Sequence, residues 1–172
     1  MTSNRPVDRL SPAVTRRGLA ALALLLAGAR AHAAPPQPSA LLDRAFAAFF
    51  AGWRSGDWAP FLALCADDFI FQFPAGAQAG RHSGRAGRAA MEAWCSEHVR
   101  AGNRIDRSDE ILRLNDGDWG VLCDRGRGTI GGQPYDGLHA IFMRAEGSRI
   151  AEFREYFGLV EMPGGASPEP RR

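Results

Sequence analysis

The sequence predicts an α+β domain in which a curved antiparallel sheet wraps around three N-terminal helices. Three observations lead there. Up to Gly102 the apolar residues recur at helical spacing, and after Asn103 they alternate with period two as far as Leu159. The alternating runs are separated by short turns that each contain glycine: Asn115-Asp116-Gly117-Asp118, Gly131-Gly132 and Ala145-Glu146-Gly147-Ser148. Strands joined in this way make an antiparallel meander, and helices gathered ahead of it bury their apolar faces by covering one side of that sheet.

The chain opens with a segment of another kind. Thr15-Arg16-Arg17 precedes Leu19-Ala20-Ala21-Leu22-Ala23-Leu24-Leu25-Leu26-Ala27, and Ala31-His32-Ala33 follows as a small-x-small cleavage pattern. An apolar run of about ten residues falls short of the roughly 20 needed to cross a bilayer. Residues 1–33 are therefore expected to be a removable export signal peptide. The paired arginines are similar to those of twin-arginine leaders, which carry a folded protein across; a general secretory leader is the alternative. The expected location is periplasmic or secreted, with no stable membrane span after cleavage. Residues 34–38 read as a Pro-rich linker, 39–162 as the domain and 163–172 as a disordered tail.

Within the domain, Ser39 is placed to cap a helix that carries Leu42, Ala45, Phe46, Phe49, Phe50 and Trp53 on one face, and Gly56 ends it. Asp57 can cap a shorter helix through Trp58, Phe61, Leu62 and Cys65. Phe69-Ile70-Phe71-Gln72-Phe73 is a short strand stopped by Pro74-Ala75-Gly76, after which a glycine-punctuated loop reaches Gly84. Ala89, Met91, Trp94, Cys95 and Val99 give a third helix from about Arg85 to Arg100. The long strands then cover 104–114, 119–130, 135–144 and 149–159.

Arg5, Arg9, Arg16, Arg17 and Arg30 lie ahead of Ala34 with only Asp8 against them, so cleavage takes the formal charge from +2 to −2. The basic balance belongs to the leader, and no nucleic acid partner is expected. There is no lysine, which excludes Schiff-base chemistry and a phosphate-loop lysine. Cys65, Cys95 and Cys123 match no zinc or haem spacing and are expected to be buried and unpaired, with one disulfide as the alternative. His82, His98 and His139 are dispersed, so neither a metal nor a cofactor is expected.

Several phrases, in order, resemble the nuclear transport factor 2-like (NTF2-like) superfamily and its SnoaL-like and ketosteroid isomerase-like branch. They are Trp53-Arg54-Ser55-Gly56-Asp57-Trp58, Cys65-Ala66-Asp67-Asp68-Phe69, Phe73-Pro74, Gly80-Arg81-His82-Ser83-Gly84 and Ile150-Ala151-Glu152-Phe153-Arg154-Glu155-Tyr156-Phe157. The resemblance implies a cone whose concave sheet face and helices enclose a deep apolar cavity, and a homodimer formed across the sheet. It implies no single chemistry, because this fold hosts isomerases, cyclases, dehydratases, epoxide hydrolases and simple binders. In the isomerase branch a carboxylate stands just before the proline that ends the first strand, where this chain has Phe73. The acid of the third long strand would fall near Leu138 to Ala140, where His139 is the ionisable group, and the Tyr-Phe phrase of the last strand ends on Gly158. These departures argue against steroid isomerisation.

The expected function is that of an exported protein holding a small apolar molecule in a conical pocket walled by Trp53, Phe71, Phe73, Trp94, Phe142 and Phe157. The alternative is a lyase, isomerase or hydrolase working by general acid–base catalysis. His82, in its glycine-flanked loop near the mouth, is a candidate proton carrier or a loop histidine bonded to neighbouring backbone. Asp68, with Asp67, is a candidate general base or a cap of the strand entry. His139 alternates with Tyr135, Ile141 and Met143 and points either to the cavity or to the dimer face. Tyr156 either donates to a ligand oxygen or holds the sheet to a helix. His98 is expected on an exposed helix face, and Arg125 and Arg127 on the outer face of the sheet, where burial does not penalise them.

Overall fold

The computed structural model describes residues 37–159; the expected leader and tail lie outside them. The elements in chain order are helices α1 (Pro38–Ser55) and α2 (Ala59–Leu62), strands β1 (Cys65–Phe73) and β2 (Gly80–His82), helix α3 (Gly84–Arg100), and strands β3 (Arg104–Asp116), β4 (Trp119–Ile130), β5 (Gln133–Glu146) and β6 (Arg149–Leu159). The strands form one sheet in the order β2-β1-β6-β5-β4-β3. The meander of β3 to β6 is antiparallel as its turns require, but β1 joins it parallel to β6, with Phe71 opposite Phe153. The sheet is thus mixed and open, and β2 extends it where the sequence suggested only a loop. Among the described residues, no helix is long and apolar enough to cross a membrane.

Helix α1 starts at Pro38, whose fixed φ suits the first helical position, and not at a Ser39 cap. It ends where Gly56 takes φ +79° and donates its N–H to the Gly52 carbonyl at 2.7 Å, a left-handed stop that glycine adopts without strain. Helix α2 is only one turn, opened by the Asp57 carboxylate accepting from the Ala59 N–H at 3.0 Å. The chain is captured by the sheet directly afterwards, the Leu64 carbonyl accepting from the Ile150 N–H at 2.8 Å, so β1 begins four residues earlier than its apolar run suggests.

The helices cover one face of the sheet. Leu41, Leu42, Ala45, Phe46 and Phe49 of α1 and Met91 and Trp94 of α3 meet Phe69, Phe71, Leu122, Ile141, Met143 and Phe153 in a core from which water is excluded. Phe49 is its hub, with ring centroids 5.1 Å from Phe153, 5.3 Å from Phe61 and 5.5 Å from Trp58. Helix α3 lies against the backbone of β1: a Cβ at Gly87 would sit 2.0 Å from the Phe69 carbonyl oxygen, so only glycine fits there.

The opposite face is the outer one. Arg125 and Arg127 lie there as expected, Arg125 forming a two-pronged pair with Asp136 at 2.6 and 2.7 Å. Phe142, expected in the cavity, and Tyr156, expected either to meet a ligand oxygen or to hold the sheet to a helix, also lie on this face, their rings in edge contact at 6.0 Å. Strand alternation places them there, because Ile141 and Glu155 take the inward positions.

Candidate functional site

Between α1, α3, the end of β1 and the inner face of β3 to β6 is a cavity of about 240 Å³. Trp53, Phe73, Trp94 and Phe157 line it. Phe71 does not reach it: the ring is fully buried behind the wall, stacked at 6.0 Å on Phe73 and 5.9 Å on Phe153.

Besides Gln78, Glu97, His98 and Asn103, the cavity is lined by His139 and Glu155, which with Asp124 behind them occupy inward strand positions where alternation calls for an apolar residue. On β4 the inward series is Leu122, Asp124, Gly126; on β5 it is Tyr135, Gly137, His139, Ile141; on β6 it is Phe153, Glu155, Phe157. Asp124 and His139 are direct partners across the β4–β5 ladder, and His139 Nδ1 lies 2.9 Å from Asp124 Oδ1. Ser108 of β3 donates its hydroxyl to the other Asp124 oxygen at 2.5 Å. His139 Nε2 meets the Tyr135 hydroxyl at 2.7 Å, the two rings lying nearly parallel with centroids 5.8 Å apart.

Bare backbone makes this arrangement possible. A Cβ at Gly137 would stand 2.2 Å from the Tyr135 hydroxyl oxygen, and one at Gly126 would stand 2.6 Å from His139 Cε1. Gly126 and Gly137 are themselves ladder partners, so a strip of sheet without side chains lies beneath the two rings.

Glu155 stands apart from this chain. It is 4% exposed, and its Oε2 is fully buried with no hydrogen-bond partner. Burial pushes its carboxyl up to about 7; His139 pulls it back, and the nearby Asp124 charge raises it further. For His139, burial favours the neutral ring, but the hydrogen bond to Asp124 and the charges of Glu155 and Asp124 together hold its pKa above the ordinary value. Burial, with the charges of Glu155, Asp124 and Asp136, pushes Tyr135 up to about 12, so it stays a phenol. Among the described residues, Trp94 Nε1 is the other buried side-chain polar atom without a partner, and its ring lines the same cavity. Two orphaned polar atoms at one apolar cavity suit a ligand that carries polar groups of its own.

His98 is not on an exposed face. It is half-buried at the cavity rim, in contact with Trp53 and Trp94 at 4.7 and 4.5 Å between centroids. The Asn103 amide N–H donates to its Nδ1 at 2.8 Å, and burial lowers its pKa. The other sequence candidates lie elsewhere. His82 contacts the Gln78 carbonyl at 3.3 Å on β2, outside the cavity lining. Asp67 and Asp68 are exposed on β1. Tyr156 is 46% exposed on the outer face and accepts from Gln72 Nε2 at 3.0 Å. Arg88 ties α3 to the α2–β1 corner through the carbonyls of Leu62 and Cys65. Among the described residues, no group of three or more His, Cys, Asp or Glu side chains is placed to hold a metal ion.

Of the groups that converge, His139 is the one candidate that the sequence offers; Tyr135 enters there only as its strand neighbour, Glu155 only within the last-strand phrase, and Asp124 and Ser108 not at all. The signal was present in the alternation: Glu155 falls between Phe153 and Phe157 on one strand face, and Asp124 two residues after Leu122.

Comparison with known proteins gives the same fold and the family. The profile of the SnoaL-like domain matches residues 46–153. Among solved structures, the chain is similar to an NTF2-like protein from Anabaena variabilis ATCC 29413, at 27% identity, covering 70% of this chain and 89% of that one with a TM-score of 0.63. It is also similar to Bal32a, from a soil-derived mobile gene cassette, at 21% identity over 72% of this chain and 90% of that one, TM-score 0.55. A third is a protein of unknown function with a cystatin-like fold from Xanthomonas campestris, at 20% identity over 70% and 90%, TM-score 0.55. No curated protein matches the chain. The chain belongs to the SnoaL-like domain family and has the NTF2-like fold.

Proposed function

We propose that this protein binds a small, largely apolar molecule in the cone and moves a proton on it, with Glu155 as the general acid–base. One observation carries the reading: the buried Glu155 carboxyl, its Oε2 without a hydrogen-bond partner, lines an apolar cavity, where burial raises its pKa to about 7. A group whose pKa lies near the working pH gives and takes protons most effectively. Position 73, where the isomerase branch carries its acid, is apolar here, and Glu155 brings a carboxylate to the cavity from β6 instead. The His139–Asp124 pair beside it favours the catalytic reading over simple binding. The test is to incubate the protein with a panel of ring ketones in deuterated water and follow exchange at the carbon next to the carbonyl by NMR. Exchange lost in Glu155→Gln supports proton transfer; binding without exchange leaves a ligand-binding protein.

Export and pairing complete the proposal. The Arg16-Arg17 leader supports a periplasmic or secreted location by the twin-arginine route, and lies outside the described residues. Leu112, Leu114, Leu138 and Tyr156, all exposed and all on the outer face, support a homodimer across the sheet. Light scattering tests it, and a monomer would count against it.

A further inference from the structure

The hydrogen-bonded chain from Ser108 to Tyr135 has a direction that Glu155 chemistry does not require. Both oxygens of the Asp124 carboxylate are engaged, one by Ser108 and one by His139 Nδ1. A carboxylate oxygen accepts, so Nδ1 carries a hydrogen and Nε2 is the nitrogen that titrates. When His139 is neutral, Nε2 accepts and Tyr135 spends its hydroxyl hydrogen on it. When His139 gains a proton, Nε2–H donates to the phenol oxygen, and the hydroxyl hydrogen is released toward the cavity that both residues line.

We infer that Tyr135 donates a hydrogen bond to an oxygen of the bound molecule, and that His139 is its positioning residue, turning the hydroxyl by changing protonation state. The inference rests on the reading of this cavity as a ligand site. The paired glycines support it: Gly137 and Gly126 leave room for both rings to lie flat on the sheet, which packing alone does not need. The phenol also stays protonated well above neutrality, as a donor must.

The groups facing His139 are few. Asp124 of β4 and Glu155 of β6 are its charged neighbours, Tyr135 lies on its own strand, and Ser108 of β3 stands behind Asp124. Helix α3 brings Glu97 and His98 to the cavity, whereas α1 and β1 bring Trp53 and Phe73, which do not titrate.

The experiment uses acetophenone and α-methylstyrene, two probes of the same shape in which C=CH2 replaces C=O. Their affinities for the purified full chain are measured by titration calorimetry above and below the His139 titration. The expected result is a preference for acetophenone that grows about tenfold on acidification, the worth of one buried hydrogen bond. Tyr135→Phe should abolish that growth while leaving α-methylstyrene affinity unchanged, which also shows that the variant is folded. His139→Gln should make the preference independent of pH, and Glu155→Gln, which removes one charge that raises the His139 pKa, should keep the acid step but move it to lower pH. A step that survives in Tyr135→Phe but vanishes in Glu155→Gln overturns the inference while sparing the proposed function. If neither probe binds wild type, the ligand site itself fails and the inference with it.

Discussion

Asp124 and His139 face each other across the β4–β5 ladder, with 2.9 Å between Oδ1 and Nδ1, at a place where the flanking inward pair is Leu122 and Ile141. A carboxylate buried this deeply is tolerated because His139 and Ser108 satisfy both of its oxygens. Removing one partner of such a pair leaves the other buried and uncompensated. Asp124→Ala is expected to destabilise the domain by about 3–5 kcal/mol, whereas Asp124→Asn, which still offers an acceptor to Nδ1, should cost about 1–2 kcal/mol. Urea unfolding of both variants checks the ordering, and equal losses would refute it.

Glu155 makes stability depend on pH in a sense opposite to most carboxylates. Its folded pKa is about 7 against an ordinary 4.5, so the native state holds the proton longer and stability falls as pH rises through that window. The contribution is on the order of 3 kcal/mol at about 1.4 kcal/mol per pH unit. His139, also raised, loses its contribution in the same sense from 6.5 upward, whereas His98, held low, loses its own as pH falls below 6.5. Glu155→Gln should therefore flatten the stability profile between pH 4.5 and 7, leaving the slope of the histidines. Chemical denaturation across that range measures it, and a profile unchanged by the substitution would contradict the burial argument.

Phe49 touches α2, α3 and β6 through its ring, with Phe61 at 5.3 Å, Trp94 at 6.1 Å and Phe153 at 5.1 Å. No neighbour on those elements can collapse into the space without uncovering another ring. Phe49→Ala is expected to cost about 3–5 kcal/mol, read as a lower urea midpoint. A loss under about 1 kcal/mol would mean that the site relaxes freely, which close packing does not allow.

The fold is legible because, past one short early strand, the apolar period switches from helical to alternating at Asn103 and stays so, and glycines mark the turns. Phe71 opposite Phe153 is not, since a parallel pairing between the first strand and the last leaves no local signature. Trp53, Phe73, Trp94 and Phe157, which line the cavity, lie on the apolar faces of that same pattern. The charged groups followed less well because His82 and Tyr156 were singled out for their chemistry, whereas position on the pleat decides what meets the cavity. Parity separates Glu155 from Tyr156, and the same rule sends Phe142 outward. The exposed face expected for His98 is instead covered by Trp53 of another helix, a contact that no single-helix pattern contains.

The three cysteines should differ in reactivity in a way that reports the packing. Burial pushes the Cys65 thiol up to about 12, and burial reinforced by the neighbouring Cys65 pushes Cys95 higher still. Thiolate is the reactive form, so both are chemically silent while the domain is folded. Cys123 is half-buried on the outer face of β4, between Leu112 and Ala140 of the flanking strands. Alkylation of the native protein, followed by mass spectrometry, should label Cys123 first, and urea should release the other two together. Because Cys65 lies at the α2–β1 corner and Cys95 on α3, their joint release would show that this corner opens only with the whole domain. Labelling of Cys95 ahead of Cys123 would instead show that α3 lifts from the sheet on its own, and a cavity that depends on Trp94 would then be a transient one.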